Sequence, residues 1–307
     1  MMRGPALSAL ALLVLSACSR EAPPPAPLVP GLAEALPALA EVRLQQGDAS
    51  LVFEREGEEW RIRDAAWRAD RRWLQPLLLG LANARCDEAR TADAARFERI
   101  GVAWPSASEA SPDGAFARPT GRLSFIVEGR EMAVVIGYPQ ARGGTYVRVE
   151  GAPHSCLSAA TLRLPARVSE WFDPQLWRIP IERVTAVVVE DPGADALRLV
   201  PGEGGFRPEG AIIALTPDAD ALASALANPR QLDLRAAGSA EPTRVLRLEG
   251  EGSLTYALAV WREGEATWAR VIAAPDDASA WYQGREFRLP EDVAAPLWAD
   301  RGTLGAP

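Results

Sequence analysis

One plan of elements runs twice along this chain, and that repetition restricts its fold more than any other feature of the sequence. In EVRLQQGDASLVFEREGEEWRIRD, Val42 and Leu44, then Leu51 and Phe53, then Trp60 and Ile62 alternate with polar residues around turns at Gly47, Asp48 and Gly57. Alternation of period two, cut by turn residues, predicts three short antiparallel strands. Asp70 then caps a predicted helix that places Trp73, Leu74, Leu77, Leu78 and Leu81 on one face. Pro76 inside that helix predicts a kink or a later start. A Pro, Ser and Gly-rich stretch over 105–119 leads to a second strand group. There Leu123, Phe125 and Val127 share a face, Gly129 turns the chain, and 132–136 is the antiparallel partner. The turn at Gly143 and Gly144 and a strand over 146–149 continue the meander.

The segment VTAVVVEDPGADALRLVPGEGGFR repeats the first strand group, with Phe206 in the place of Trp60. Thr216 as cap and Pro217 as first helical residue then start a second helix. Its Leu226, Ala227 and Asn228 match Leu81, Ala82 and Asn83. Further on, 267–271 corresponds to 145–149, and 287–290 to 162–165. The offset drifts, as insertions would cause. The expected fold class is therefore α+β: two related lobes, each of antiparallel β-strands with one main helix, from an internal duplication. The lobes are expected over 41–180 and 181–301, with a tail over 302–307.

Ahead of the repeated part stand Arg3 and an apolar run from Ala6 to Leu15, too short to span a bilayer and suited to a signal segment. Leu15, Ser16, Ala17 and Cys18 close it in the pattern of the lipobox at which bacterial lipoproteins are cleaved and acylated. The expectation is a signal peptide over 1–17 and lipidation of Cys18; the alternative is an ordinary secretory signal with an incidental thiol. One acyl chain anchors only marginally at about 0.8 kcal/mol per methylene, so the several chains of a mature lipoprotein make the anchor permanent. Residues 18–40, which include APPPAPLVPG, predict a semi-extended, poorly ordered Pro/Ala-rich tether. Ser19, in place of the Asp that commonly signals inner-membrane retention, points to the outer membrane, with the folded part facing the periplasm.

A net charge of -8 argues against nucleic acid as a partner and gives no attraction to anionic lipid, so contact with the bilayer rests on acylated Cys18. All 33 basic residues are Arg, which reads as coding bias. With Cys18 assigned to lipid, Cys86 and Cys156 remain in an oxidising compartment, and a disulfide between them is expected. Closing a loop of about 70 residues contributes roughly 4 kcal/mol in the chain-entropy model. Two buried, unpaired thiols acting as small hydrophobes are the alternative.

A G-x-x-W turn from Gly57 to Trp60, an Asp-capped helix, the F-x-x-I-G-V-x-x-P stretch from Phe97 to Pro105, a hairpin ending in Ile136 and Gly137, and Thr145-Tyr146-Val147-Arg148 follow one another in this order. In this the chain resembles domain of unknown function family 4340, well over residues 41–200 and through the repeat beyond. The resemblance implies a bacterial envelope protein and carries no established catalytic residues. Many relatives are held by an amino-terminal membrane helix, whereas this chain shows a lipobox; direct partnership with an inner-membrane transporter is not implied.

The residues predict no catalytic group, no metal site and no cofactor. His154 is the single histidine, and no G-x-S-x-G elbow supplies a nucleophile for a triad through it. His154 and Cys156 could offer two metal ligands, but no second Cys/His pair accompanies them, and the expectation is a solvated turn histidine beside a disulfide. Asp218 and Asp220 lack the glycine and glutamate of a calcium loop and read as first-turn helix acids. Asp276 and Asp277 read as a solvated turn, and the Gly143-Gly144 and Gly204-Gly205 pairs as hairpins. Trp281 and Tyr282 are the best candidates for an exposed aromatic platform, while Trp60, Trp73, Trp171, Trp261 and Trp268 fall at core phases. The expected function is a non-catalytic binding or scaffolding module of an envelope transport or assembly system, with an envelope protein as partner. Alternatives are a carrier or sensor of an apolar ligand such as a lipid, and a carboxylate-based cell-wall hydrolase.

Overall fold

Period-two alternation becomes two antiparallel sheets. The computed structural model describes residues 25–104, 114–210 and 217–305. In the first half, α1 (Leu32–Ala35) precedes β1 (Glu41–Gln46), β2 (Ala49–Glu56), β3 (Glu59–Ile62) and β4 (Trp67–Arg68). Then come α2 (Arg71–Asn83), β5 (Glu88–Ala89), β6 (Gly121–Val127), β7 (Arg130–Pro139), β8 (Thr145–Val149) and β9 (Cys156–Ser158). The second half runs β10 (Val184–Glu190), β11 (Leu197–Gly202), β12 (Gly205–Pro208), α3 (Pro217–Ala227), β13 (Asp233–Ala236) and β14 (Arg244–Gly250). It ends with β15 (Thr255–Glu263), β16 (Ala266–Ala273), α4 (Asp276–Tyr282), β17 (Arg285–Leu289) and α5 (Glu291–Leu297).

The sheet orders are β4-β3-β2-β1-β6-β7-β8-β9-β5 and β12-β11-β10-β14-β15-β16-β17-β13. Apart from β4 they are one order. Three consecutive strands form one edge, a helix carries the chain to the far edge for a short strand, and a four-strand meander fills the space between. The helical share is modest, so the molecule is mostly β. The matching of 287–290 with 162–165 is corrected: 162–165 lies outside any strand, and β9 occupies the place that β17 holds in the second sheet.

Register builds each core. Val42 stands opposite Phe53 and Phe125, and Leu44 opposite Leu51 and Leu123, so their side chains share one sheet face. Leu74, Leu77, Leu78 and Leu81 of α2 cover it. Asp70 caps this helix, its Oδ1 accepting from Arg72 N at 2.8 Å. Pro76 is exposed inside a helix that begins at Arg71, so no later start occurs; its missing amide falls on the solvent side. In the second lobe Leu222 and Leu226 of α3, with Val293 and Leu297 of α5, close over Val187, Leu199, Leu246, Leu258 and Phe287. Pro217 opens α3, while Thr216 lies outside the described residues. Leu304, near the chain end, is fully buried in the same core.

The expectation of a poorly ordered spacer reaching residue 40 is corrected for residues 25–40. Leu28, Val29, Leu32 and Leu39 are buried in the first core, Leu28 N donates to Ala84 O at 2.7 Å, and α1 packs beside α2. Four apolar side chains among the prolines and alanines are enough to fold this segment onto the lobe.

The two lobes are stitched by a strap over 171–179. Asp70 N donates to Trp171 O, Leu176 N to Pro229 O, and Ile179 N to Ala227 O, so one strap satisfies backbone groups on both sides. Arg68 adds bonds to the Asp173 carboxylate and to the Gln175 carbonyl. Trp67, a strand residue of the first sheet, is fully buried in the core of the second lobe, 5.1 Å from Phe287 and 6.0 Å from Tyr282 between ring centroids.

Candidate functional site

Cys86 and Cys156 are joined in a disulfide that ties the segment after α2 to β9. His154 stands beside it, half-buried, with a ring nitrogen within 4.8 Å of both sulfurs. Cys18 lies outside the described residues. Asp218 and Asp220 open α3 as first-turn acids, and Asp220 Oδ1 also accepts from Phe206 N at 2.6 Å, tying the helix to β12. Asp276 and Asp277 start α4, a helix the sequence pattern did not predict. The glycine pairs lie in hairpins: Gly143 and Gly144 between β7 and β8, Gly204 and Gly205 between β11 and β12.

The aromatic platform at Trp281 and Tyr282 is corrected. Tyr282 is buried in the second core and donates its hydroxyl to Leu176 O at 2.7 Å, and burial pushes its pKa up to about 12. Trp281 is half-buried, edge-on to Trp67, with the guanidinium groups of Arg61 and Arg68 over its ring. These rings wall the lobe junction. Trp171, Trp261 and Trp268 are buried as expected, whereas Trp60 and Trp73 are only half-buried.

The junction is concave, and both lobes line it. A cleft of about 820 Å³ opens there between the start of α2, the strap, and the β13–β17 end of the second sheet. Trp73, Phe172 and Leu232 give it an apolar floor, with Leu232 48% exposed. Arg72 and Arg288 stand at its rim, Arg72 bonded through its fork to the Asp70 carboxylate. Gln231, 3% exposed, lines the same cleft; its Nε2 donates to Asp173 O, and among the described residues its Oε1 has no hydrogen-bond partner. Sequence reasoning missed this site because its parts come from positions 70–73, 172, 231–232 and 288, which no motif links. A second hollow, of about 670 Å³, lies beside Leu39 and the 65% exposed Ile126.

The motif residues of the first lobe converge elsewhere, on one packing unit. Gly101 turns with φ +73° after the short helical turn that follows Phe97, and a Cβ there would meet Tyr138 and Thr120 within 3 Å. Gly137 in β7 lets Ile100 O come so near that a Cβ would stand 2.4 Å from it. Arg148 donates to Val102 O at 3.0 Å and lies over the Phe97 ring. The model of the family described as Domain of unknown function (DUF4340) matches residues 60–245, more than half of the chain.

The chain belongs to the DUF4340 family. The matched region begins in β3 and ends in β14, so it spans most of the first lobe, the strap and α3. The matched region thus includes Trp67, the strap and the cleft residues Trp73, Phe172, Gln231 and Leu232, whereas Arg288 lies beyond it. The F-x-x-I-G-V positions hold a loop on a sheet, a role in packing. No curated protein and no solved structure matches the chain. Among the described residues, no helix is long and apolar enough to cross a membrane.

Proposed function

We propose that this DUF4340 protein is a lipid-anchored bacterial envelope lipoprotein whose folded part is a non-catalytic binding or scaffolding module. Acylated Cys18 holds it at the bilayer, facing the periplasm and most naturally on the outer membrane, and an envelope protein is its partner. The two lobes arose by duplication of one unit, a reading supported by their common strand order. The observation that carries the binding role is the junction cleft, where Trp73, Phe172 and Leu232 lie open between arginines while the strap and Trp67 fix the lobes around them. An exposed apolar floor with a charged rim is the composition of a protein contact surface.

Two measurements test the reading. In cells, a labelled fatty acid should be incorporated into the wild-type protein and not into Cys18→Ser; an unlabelled wild-type protein, or equal labelling of the variant, would remove the lipid anchor. A photoreactive residue at Leu232 should crosslink to a single envelope protein in intact cells, and Leu232→Glu should abolish capture by a probe at Trp73. Crosslinks spread over many unrelated proteins, or to lipid alone, would count against a dedicated protein partner.

A further inference from the structure

Cys86 follows the C-terminal end of α2, Cys156 opens β9, and His154 stands in the turn just before it. Both sulfurs and a ring nitrogen of His154 lie within 4.8 Å of one another. The backbone on either side of the S–S bond is held by hydrogen bonds that do not pass through it. Asp87 N donates to Leu157 O at 3.1 Å, Arg90 N to Ser155 O at 2.8 Å, and Ser155 N to Thr91 O at 2.9 Å. Ser155 is fully buried and its hydroxyl also donates to Thr91 O, which fixes the residue between His154 and Cys156. The three donor groups are therefore placed by the β5–β9 ladder, and their neighbourhood does not depend on the disulfide.

We propose that the reduced chain holds a zinc ion on the Cys86 and Cys156 thiolates and the His154 imidazole, with a solvent molecule as fourth ligand. Two thiolates and an imidazole suit a borderline-soft d10 cation. Zn–S bonds of about 2.3 Å in a tetrahedral site separate the two sulfurs by about 3.8 Å, a small opening from the bonded state. Asp87, the nearest carboxylate in sequence, already accepts from Ala159 N and leaves the fourth position to solvent. Cys86 is half-buried, so a dithiol reductant reaches it. That reductant supplies two electrons and two protons: the Cys86–Cys156 bond breaks, both sulfurs become thiols, and the reductant closes its own disulfide. Zn²⁺ then displaces the two thiol protons to solvent as the two Zn–S bonds and the Zn–N bond form. The segment thus exchanges one covalent clasp for another according to redox state.

The test uses the full-length chain in detergent on a Cys18→Ser background, which removes the remaining thiol. It is reduced with a phosphine, freed of reductant without oxygen, and titrated with Zn²⁺ against a chromophoric chelator. The expected result is one Zn²⁺ per reduced chain, none for the oxidised chain, and at least tenfold weaker binding for His154→Ala. Co²⁺ in place of Zn²⁺ should give thiolate-to-metal charge-transfer absorption in the reduced chain only. Circular dichroism in parallel should show the sheets kept on reduction. The proposal is overturned if the reduced chain binds no more zinc than the oxidised one, if His154→Ala binds equally well, or if reduction unfolds the chain.

Discussion

The indole Nε1 of Trp67 donates to the carbonyl oxygen of Asp173 at 2.8 Å, deep in a core to which, among the described residues, the first sheet contributes Trp67 alone. One side chain thus fills the second lobe's core while holding the strap that joins the lobes. Trp67→Ala removes the ring packed against Phe287 and Tyr282 and leaves a cavity, at a cost of about 3–5 kcal/mol. The loss should fall on lobe coupling as well as on stability, so chemical denaturation followed by tryptophan fluorescence should split from one transition into two. Trp67→Phe keeps most of the packing and leaves the carbonyl with Gln231 Nε2 as its remaining donor, for a loss of about 1 kcal/mol in a single transition.

Gly137 and Ile100 give a second prediction. The carbonyl of Ile100 would lie 2.4 Å from a Cβ at position 137, and the neighbour is backbone, which cannot rotate away. Gly137→Ala should therefore push the 97–102 loop off β7 and cost about 1–3 kcal/mol, the range for overpacking. Loss of the Arg148 bond to Val102 O should accompany it, visible as faster amide exchange around 97–102 with β1 and β2 unchanged. An unshifted loop and unchanged melting temperature would show that the glycine is not required for packing.

What was legible in the sequence is what a local period encodes. Val42, Leu44, Phe53, Leu123 and Phe125 alternate in sequence and face one core, and Asp70 caps its helix because a side-chain oxygen two residues from an amide needs no tertiary context. Cys86 and Cys156 were legible through their number. Trp67 was not, because a single ring crossing into another lobe leaves no periodic trace. Leu28, Val29 and Leu32 were hidden by the prolines around them, whose composition suggested an extended chain while the apolar minority decided the packing. The cleft was hidden for the same reason as Trp67: Trp73, Phe172, Gln231 and Leu232 meet only after the strap has docked the lobes.

Glu286 gives a pH dependence. Its side chain is fully buried on β17, accepting from Arg270, from Gly238 N at 2.8 Å and from Arg235 Nε at 2.9 Å. Burial alone would raise its pKa, but the bonds from Arg270, Gly238 and Arg235 outweigh it and hold the carboxyl below its ordinary value of 4.5. A carboxylate with a lowered pKa in the folded state contributes stability that is present above the unfolded value and is lost as pH falls through the folded value. Glu286→Gln should cost about 2 kcal/mol at neutral pH, where charged hydrogen bonds are replaced by neutral ones. The gap between wild type and variant should narrow below about pH 4.5 as the wild-type carboxyl takes up its proton. Thermal melts between pH 3 and 7 measure this, and a gap that stays constant over that range would exclude the carboxylate as its source.

The Cys86–Cys156 bond gives the last prediction. It closes 70 residues of chain that include β5, β6, β7 and β8, and all four of these strands are also paired by backbone hydrogen bonds within one sheet. Its contribution should therefore come chiefly from restricting the unfolded chain, with a ceiling of roughly 4 kcal/mol for a loop of this length. Reduction should lower the denaturation midpoint while leaving the native ladder in place, so amide exchange at Asp87, Arg90 and Ser155 should remain slow under native conditions. Cys86→Ala with Cys156→Ala should reproduce the loss in the absence of any reductant. A double variant as stable as wild type would mean that the denatured chain is already held compact, and exchange that becomes fast at Ser155 alone would mean that the bond, rather than the ladder, positions this edge.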